Sequence, residues 1–580
     1  MQKFRIAKIP LFVFIIFIAC LSLFFRLLWL DRVPTGISND ELDNVLNAKA
    51  VFFTGSDLSG AWSPFSLSPI STYYDQSELA AIVISPILSF LPLNLFSARL
   101  PFAIASTISV VFIFLIANKL LGKNTAVITG IVSAINPWFI FIGRSGLDVN
   151  LSLMFCLTAI YLLLRLRRIY VLLAFIPLFF AFYTYIGSKL IVLPLSIICI
   201  FYAWKYVSEK KYLIHYLTLL GMVIFLIYAP FFLLNSTNRS SEVLSPSHPS
   251  VTKRVDYERK QSVVSPLRSI FSNKLTTFGR EFEEKYLGVF SIDYLFLHGD
   301  PKFLFSVFDH GVFYLQDVLF LIVGGIALFL KKRREFLFIL ALILIAPLPS
   351  AFSTVGSSYV VRSFLLHPLL IILISFGIFT TISHFKASIV KAFVLVGIVG
   401  LYLIFISNFM YIYFARNPIA NAESFNFSSR ILSNYLLRET QDSHRQIIVL
   451  TQDPQIPFRH LLFYGNLYNK DFAAKVGSMY KSESFKYDNI SFLECKNLGK
   501  LDTETTVITD PGTKCYTPPK TITPVVIPQL SDGGAIYKIW NGQLCNNLKL
   551  GRYPENIKFS DFSVEKLINN EFCQKFISHY

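Results

Sequence analysis

The chain has 580 residues, 54% of them hydrophobic and 15% charged, with a formal net charge of +17. A soluble protein of this length carries about 25% charged residues, so a single soluble globular enzyme is excluded. The basic excess does not imply a nucleic-acid partner either, because it sits in short turns between apolar runs: segments 1–9, 119–123, 165–168, 205–211, 331–335 and 384–391 hold seventeen Lys/Arg against two acids, Glu209 and Glu335. Basic residues placed that way mark the inner side of a multi-span membrane protein.

Taken in order, the first apolar run, Leu11 to Leu30, follows Lys3, Arg5 and Lys8. It resembles a signal peptide in charge, but it is long and has no small-x-small cleavage site, so it is expected to stay as a first span. Residues 31–100 then lie outside. Within them, 79–93 is apolar but about fifteen residues long and broken by Pro86 and Pro92, short of the ~20 residues a crossing helix needs. Reading it as re-entrant or interfacial keeps every basic cluster inside. The spans are then expected at 11–30, 101–118, 124–142, 149–165, 169–186, 188–205, 212–234, 313–330, 335–351, 363–382 and 391–414, about eleven in all. A second large outer loop covers 235–312.

Residues 415–580 read as a separate extracytoplasmic α/β domain following the transmembrane domain 1–414. Phe427–Glu439 has helical periodicity, whereas 446–451 (QIIVLT) and 505–509 (TTVIT) look like buried strands, each closed by an Asp-Pro turn. Four of the seven cysteines fall here. Of the three possible pairings, Cys495–Cys515 with Cys545–Cys573 is favoured in an exported domain.

The outer loop 31–100 carries seven acids, Asp31, Asp40, Glu41, Asp43, Asp57, Asp75 and Glu78, against three bases. Acids clustered at the mouth of a span cost free energy and are a functional candidate. With Arg99, Arg144 and Asp148 on the same face, they suit chemistry on an anionic lipid. A carboxylate deprotonates an acceptor hydroxyl that attacks an anomeric carbon, and an Arg fork meets the departing phosphate. No Gly-rich phosphate loop is present, and the nine histidines show no metal-ligand spacing.

An ordered set of motifs carries a resemblance. It comprises Asp40-Glu41; Thr54-Gly55-Ser56-Asp57-Leu58-Ser59-Gly60 with Pro64; Ala98-Arg99-Leu100-Pro101; Asn136-Pro137-Trp138-Phe139; Arg144 and Asp148; 296–300 (FLHGD); 346–351 (APLPSA); and Arg362 opening a span. Over about residues 10–415 the chain resembles the polyprenyl-phosphate-sugar transferases of the GT-C class, the group of the protein O-mannosyltransferases and the lipid A aminoarabinose transferase. The resemblance implies Asp40 as catalytic base, Glu41 as its support, and Arg99 near the lipid phosphate. Asp148, Arg144, Asp57 and Arg362 are implied as further donor- or substrate-binding residues. Leu58 stands where many relatives carry a second acid after Asp57, which argues against a metal-ligand role for this loop; a divalent metal elsewhere stays open.

Structural readings stand beside these. Asp40 also fits a helix N-cap, with Asp43 as first-turn chemistry. Arg99 and Arg26 fit snorkelling anchors. Asp148 fits an N-cap or a partner of Arg144, and Asp317 fits a cap for the loop before it. The function expected is an inverting membrane glycosyltransferase. It moves a hexose or pentose from a polyprenyl-phosphate donor to a protein, lipid or glycan acceptor at the outer face of the cytoplasmic membrane. The alternative is a polytopic transporter or lipid-linked sugar flippase, whose ionisable groups lie near mid-membrane.

Overall fold

A computed structural model describes the chain except residues 1–9, 71, 73–75, 208–211, 234–242, 301–302, 355–358, 443–444, 498–503, 519–522, 547, 552–555 and 580. The basic segment 1–9, Asp75, and the opening of the 235–312 loop therefore lie outside the described residues.

The chain begins with helices α1 (Leu11–Leu27), α2 (Asn39–Thr54), α3 (Ala80–Leu88), α4 (Leu95–Leu121), α5 (Lys123–Ile135) and α6 (Pro137–Ile142). Next come α7 (Val149–Arg165), α8 (Phe175–Thr184), α9 (Ser188–Tyr206), α10 (Leu213–Leu233), α11 (Pro249–Lys260), α12 (Pro266–Phe271) and α13 (Lys274–Gly288). Then follow α14 (Asp317–Lys331), α15 (Arg333–Ile345), α16 (Leu348–Ala351), α17 (Tyr359–Arg362), α18 (Leu366–His384) and α19 (Ser388–Tyr411). The last are α20 (Asn417–Ala420), α21 (Phe427–Asp442), α22 (Gln455–Tyr464), α23 (Lys470–Ser482) and α24 (Asn569–Phe576).

Each of the eleven stretches expected to span is helical. Among the described residues, five helices are long and apolar enough to cross a membrane: Leu95–Leu121, Ser188–Tyr206, Arg333–Ala351, Leu366–His384 and Ser388–Ala420. The expected span 124–142 is interrupted at Asn136, whose side chain caps α6 by accepting from the Phe139 amide at 3.2 Å. Segment 79–93 forms only the nine residues of α3, about 14 Å of helix, too short to cross. Among its described residues, loop 235–312 holds the α-helices α11 to α13 and short helical turns at Asp293–Leu297 and Phe303–Phe305, which the sequence reading left as loop; Asn273 starts α13 with a capping box.

The chain divides into two compact units. The first, residues 1–26, 103–143 and 148–409, contains most of the apolar helices. In it α14 and α18 meet at glycines: a Cβ on Gly324 would strike the Leu373 carbonyl, and one on Gly377 would strike the Phe320 carbonyl. Small residues let helix backbones approach closely, which is how apolar helices associate in lipid. Arg26 is a correction. It does not snorkel but is fully buried, donating to Ser106 Oγ at 2.9 Å and to the Ser22 carbonyl at 2.9 Å.

The second unit joins residues 27–102 and 144–147 to 410–580, so the first outer loop groups with the tail. The tail carries a mixed seven-stranded sheet, order β2-β3-β1-β4-β6-β5-β7. Its strands are β1 (Ile447–Leu450), β2 (Phe485–Tyr487), β3 (Ile490–Leu493), β4 (Thr506–Thr509), β5 (Val525–Pro528), β6 (Ala535–Trp540) and β7 (Ser578–His579). The two strands read from sequence are β1 and β4, adjacent, parallel and wholly buried. Cys495–Cys515 and Cys545–Cys573 are bridged, the pairing favoured above.

Candidate active site

The acidic cluster opens α2, and it is Ser38, not Asp40, that caps it. Ser38 Oγ accepts from the Glu41 amide at 3.3 Å, and Glu41 Oε2 accepts from the Ser38 amide at 2.9 Å. This reciprocal box satisfies two of the amide donors a helix start leaves open, worth about 1 kcal/mol. Carboxylates in the first turn also complement the helix dipole.

Four of the loop's acids, Asp40, Glu41, Asp43 and Asp57, divide sharply by environment. Glu41 is buried, and its other oxygen takes the Arg99 guanidinium at 3.4 Å and the Gly146 amide. Asp43 is buried in an ion pair with Arg459 of α22, which corrects its reading as first-turn chemistry. Asp57 is buried and closed by its own loop: it accepts from Thr72 Oγ1 at 2.9 Å, Ser59 Oγ at 2.8 Å and the Ala61 amide at 3.1 Å. Asp40 alone of the four is half-buried.

Two candidate phosphate ligands, Arg99 and Arg144, meet backbone carbonyls. Arg99, on α4, donates to the carbonyls of Pro34 at 2.8 Å, Leu30 at 3.5 Å, and Gly36, as well as to Glu41. Arg144 donates to the carbonyls of Leu28 at 2.6 Å, Val33 at 2.8 Å and Trp29 at 3.3 Å, and to Tyr413 Oη at 3.2 Å. Its guanidinium carbon also lies 5.1 Å from the Phe414 ring centre, cation–π geometry. Arg430 adds the Thr35 carbonyl and forks onto Glu565 at 2.8 and 2.6 Å; Asn426 adds the Ile37 carbonyl at 3.0 Å.

The pattern has one cause. Segment 28–37 is buried over much of its length and has no ladder or helix to satisfy its carbonyls, and buried carbonyls need donors. Three arginines and an asparagine supply them, and so fix the chain that leads into α2. Arg99 and Arg144 were legible as unusual cations but not as carbonyl clamps, since backbone acceptors leave no mark in the side-chain sequence. Arg430, Arg459 and Gly146 were missed altogether. The Ser38-x-x-Glu41 capping box was there to be read.

Asp148 occupies the N-cap position of α7 without a side-chain cap bond, and Arg362 ends α17; both are half-buried and both belong to the first unit. Asp317 does cap the preceding turn, accepting from the Tyr314 amide at 3.2 Å and from Tyr402 Oη. Among the described residues no cluster of three or more His, Cys, Asp or Glu could hold a metal. Within the second unit a cavity of about 250 Å³ is lined by Asp31, Asn94, Arg430, Tyr464, Ser563 and Lys566, among others. Asp40 does not line it.

Residues 76–232 match the family described as dolichyl-phosphate-mannose-protein mannosyltransferase. That stretch takes in Arg99, Arg144 and Asp148 and begins after Asp40. No curated protein sequence matches the chain. Among solved structures, ArnT from Cupriavidus metallidurans bound to undecaprenyl phosphate is similar at a TM-score of 0.50 and 14% identity, over 91% of this chain and 98% of that one. The archaeal oligosaccharyltransferase AglB from Archaeoglobus fulgidus, in complex with an inhibitory peptide and a dolichol-phosphate, is similar at 0.45 and 12%, over 86% of this chain and 69% of that one. The likeness to ArnT establishes a shared fold across nearly the whole of both chains.

Proposed function

We propose that the chain is a membrane glycosyltransferase that moves a sugar from a polyprenyl-phosphate donor to an acceptor hydroxyl at the extracytoplasmic face. One observation carries the catalytic assignment. Of the four carboxylates Asp40, Glu41, Asp43 and Asp57, three are buried, and Asp40 keeps solvent-accessible surface at the first turn of a fixed helix. Support for the class comes from the family match over 76–232, which makes a polyprenyl-phosphate mannose the first donor to try.

In the reaction, the acceptor oxygen attacks the anomeric carbon while its proton passes to the Asp40 carboxylate. The bond from that carbon to the phosphate oxygen breaks, and its electron pair leaves on the polyprenyl phosphate. A single displacement of this kind inverts the anomeric centre. Glu41, Arg99 and Arg144 act as positioning residues, holding segment 28–37 and the start of α2 so that the base meets its proton at hydrogen-bonding distance.

The test is transfer of radiolabelled polyprenyl-phosphate mannose by purified chain and by Asp40→Asn. General-base removal is expected to cost between about 100- and 10,000-fold in rate, with product of inverted configuration by NMR. Equal transfer by both proteins sinks the base assignment, and a retained configuration sinks the single displacement. A wild-type chain that consumes no polyprenyl-phosphate sugar with any acceptor extract overturns the class.

A further inference from the structure

The geometry points to Arg459, in the C-terminal part of the chain, as the positioning residue that sets the charge state of Asp40. The inference rests on the reading of Asp40 as the base. Asp40 and Asp43 are three residues apart on α2, so they lie on one helical face with Cβ atoms about 5–6 Å apart. Arg459, on α22, pairs with Asp43, and both side chains are buried. The helices pack together, α2 against both α22 and α23. A cation fixed one turn from a carboxylate favours its ionised form, and a buried site strengthens that effect.

Of the other charged groups on these helices, Lys470, Asp471, Lys475 and Lys481 of α23 are exposed. On α2 itself, Glu41 is tied to Arg99. From α22, burial holds His460 down to about 4, so it is neutral near pH 7. From α23, burial raises the Tyr480 phenol well above its usual range, so it is neutral too. Burial pulls Arg459 down to about 10, with Tyr480 and Asp40 drawing it back up; it is protonated at neutral pH. Asp43 and Arg459 are therefore opposing fixed charges beside Asp40, and removing either one has an opposite sign. Without Arg459 the Asp40 carboxylate is easier to protonate. Without Asp43 the guanidinium acts unopposed and Asp40 is harder to protonate.

The experiment is carbodiimide modification of Asp40 in the full-length protein, scored by peptide mass spectrometry across pH, which needs no substrate and no activity. Relative to wild type, Arg459→Met should raise the pH of half-modification by about one unit and Asp43→Asn should lower it by a similar amount. Arg459→Lys should stay at the wild-type value. The acid limb of the transfer rate should move in the same directions. A purely structural pair predicts loss of stability in both variants with shifts of one sign or none, and that outcome overturns the proposal. Should Arg459→Met fail to fold, the isosteric Asp43→Asn decides alone: an unchanged or raised value overturns it. A chain with the expected titrations but no sugar transfer leaves this inference standing and removes the function proposed above.

Discussion

Arg99 separates two roles that a sequence cannot distinguish. A guanidinium in an Arg-Leu-Pro motif at the start of a span fits a phosphate ligand, and equally fits a buried clamp. Here it meets three carbonyls and a carboxylate with no exposed surface. Lysine keeps the charge but lacks the planar fork that reaches several acceptors together. Arg99→Lys is therefore expected to cost about 3 kcal/mol, the scale for breaking a buried charged network, read as a lowered melting temperature in detergent. Transfer by the surviving folded fraction should show a reduced kcat with KM for the lipid donor within about twofold. A large rise in donor KM at unchanged stability would return Arg99 to the phosphate. Gly146 belongs to the same picture: a Cβ there would stand 3.0 Å from Glu41 Cγ, so its bareness lets the Glu41 carboxylate reach the amide.

At the scale of elements, hydropathy located the helices well because the requirement is simple: a long apolar run buries its backbone polar groups only as a helix. Breaks in the runs were less legible. Asn136 stops one expected span and starts α6, a local side-chain choice that a window averaged over about twenty apolar residues smooths over. The α14–α18 contact was hidden for a different reason, since Gly324 and Gly377 lie far apart in sequence and acquire meaning only when the helices meet. Each approaches a carbonyl of the opposite helix, leaving no room for a side chain. Gly377→Leu should force α18 away from α14 and destabilise the first unit by several kcal/mol, beyond the 1–3 kcal/mol usual for overpacking, because backbone yields less than side chains. The measurement is thermal unfolding of purified protein, with Gly397→Leu as control, a helical glycine on α19 whose added Cβ meets nothing within 4 Å.

For the molecule as a whole, the sequence divided the chain at about residue 414 into a catalytic membrane part and an appended soluble domain. The first outer loop shares its unit with the tail, and the links are specific: Arg459 on Asp43, Arg430 on the Thr35 carbonyl, and Asn426 on the Ile37 carbonyl. None of these was readable along the chain, because each joins residues roughly 400 positions apart and none leaves a local pattern. Their consequence is that the tail is part of the support for Asp40. A chain truncated after Arg416 keeps every expected span but leaves Asp43 as a buried carboxylate without its guanidinium. It also strips donors from two carbonyls of segment 28–37. An unpaired buried charge and lost charged hydrogen bonds each cost several kcal/mol, more than a loop can absorb in place. The truncated chain should therefore enter the membrane, lose sugar transfer by at least about 100-fold, and expose residues 28–60 to limited proteolysis that the full chain resists. Retained transfer with an unchanged cleavage pattern would mean that the first loop holds its shape alone and that the tail serves acceptor binding or some separate purpose.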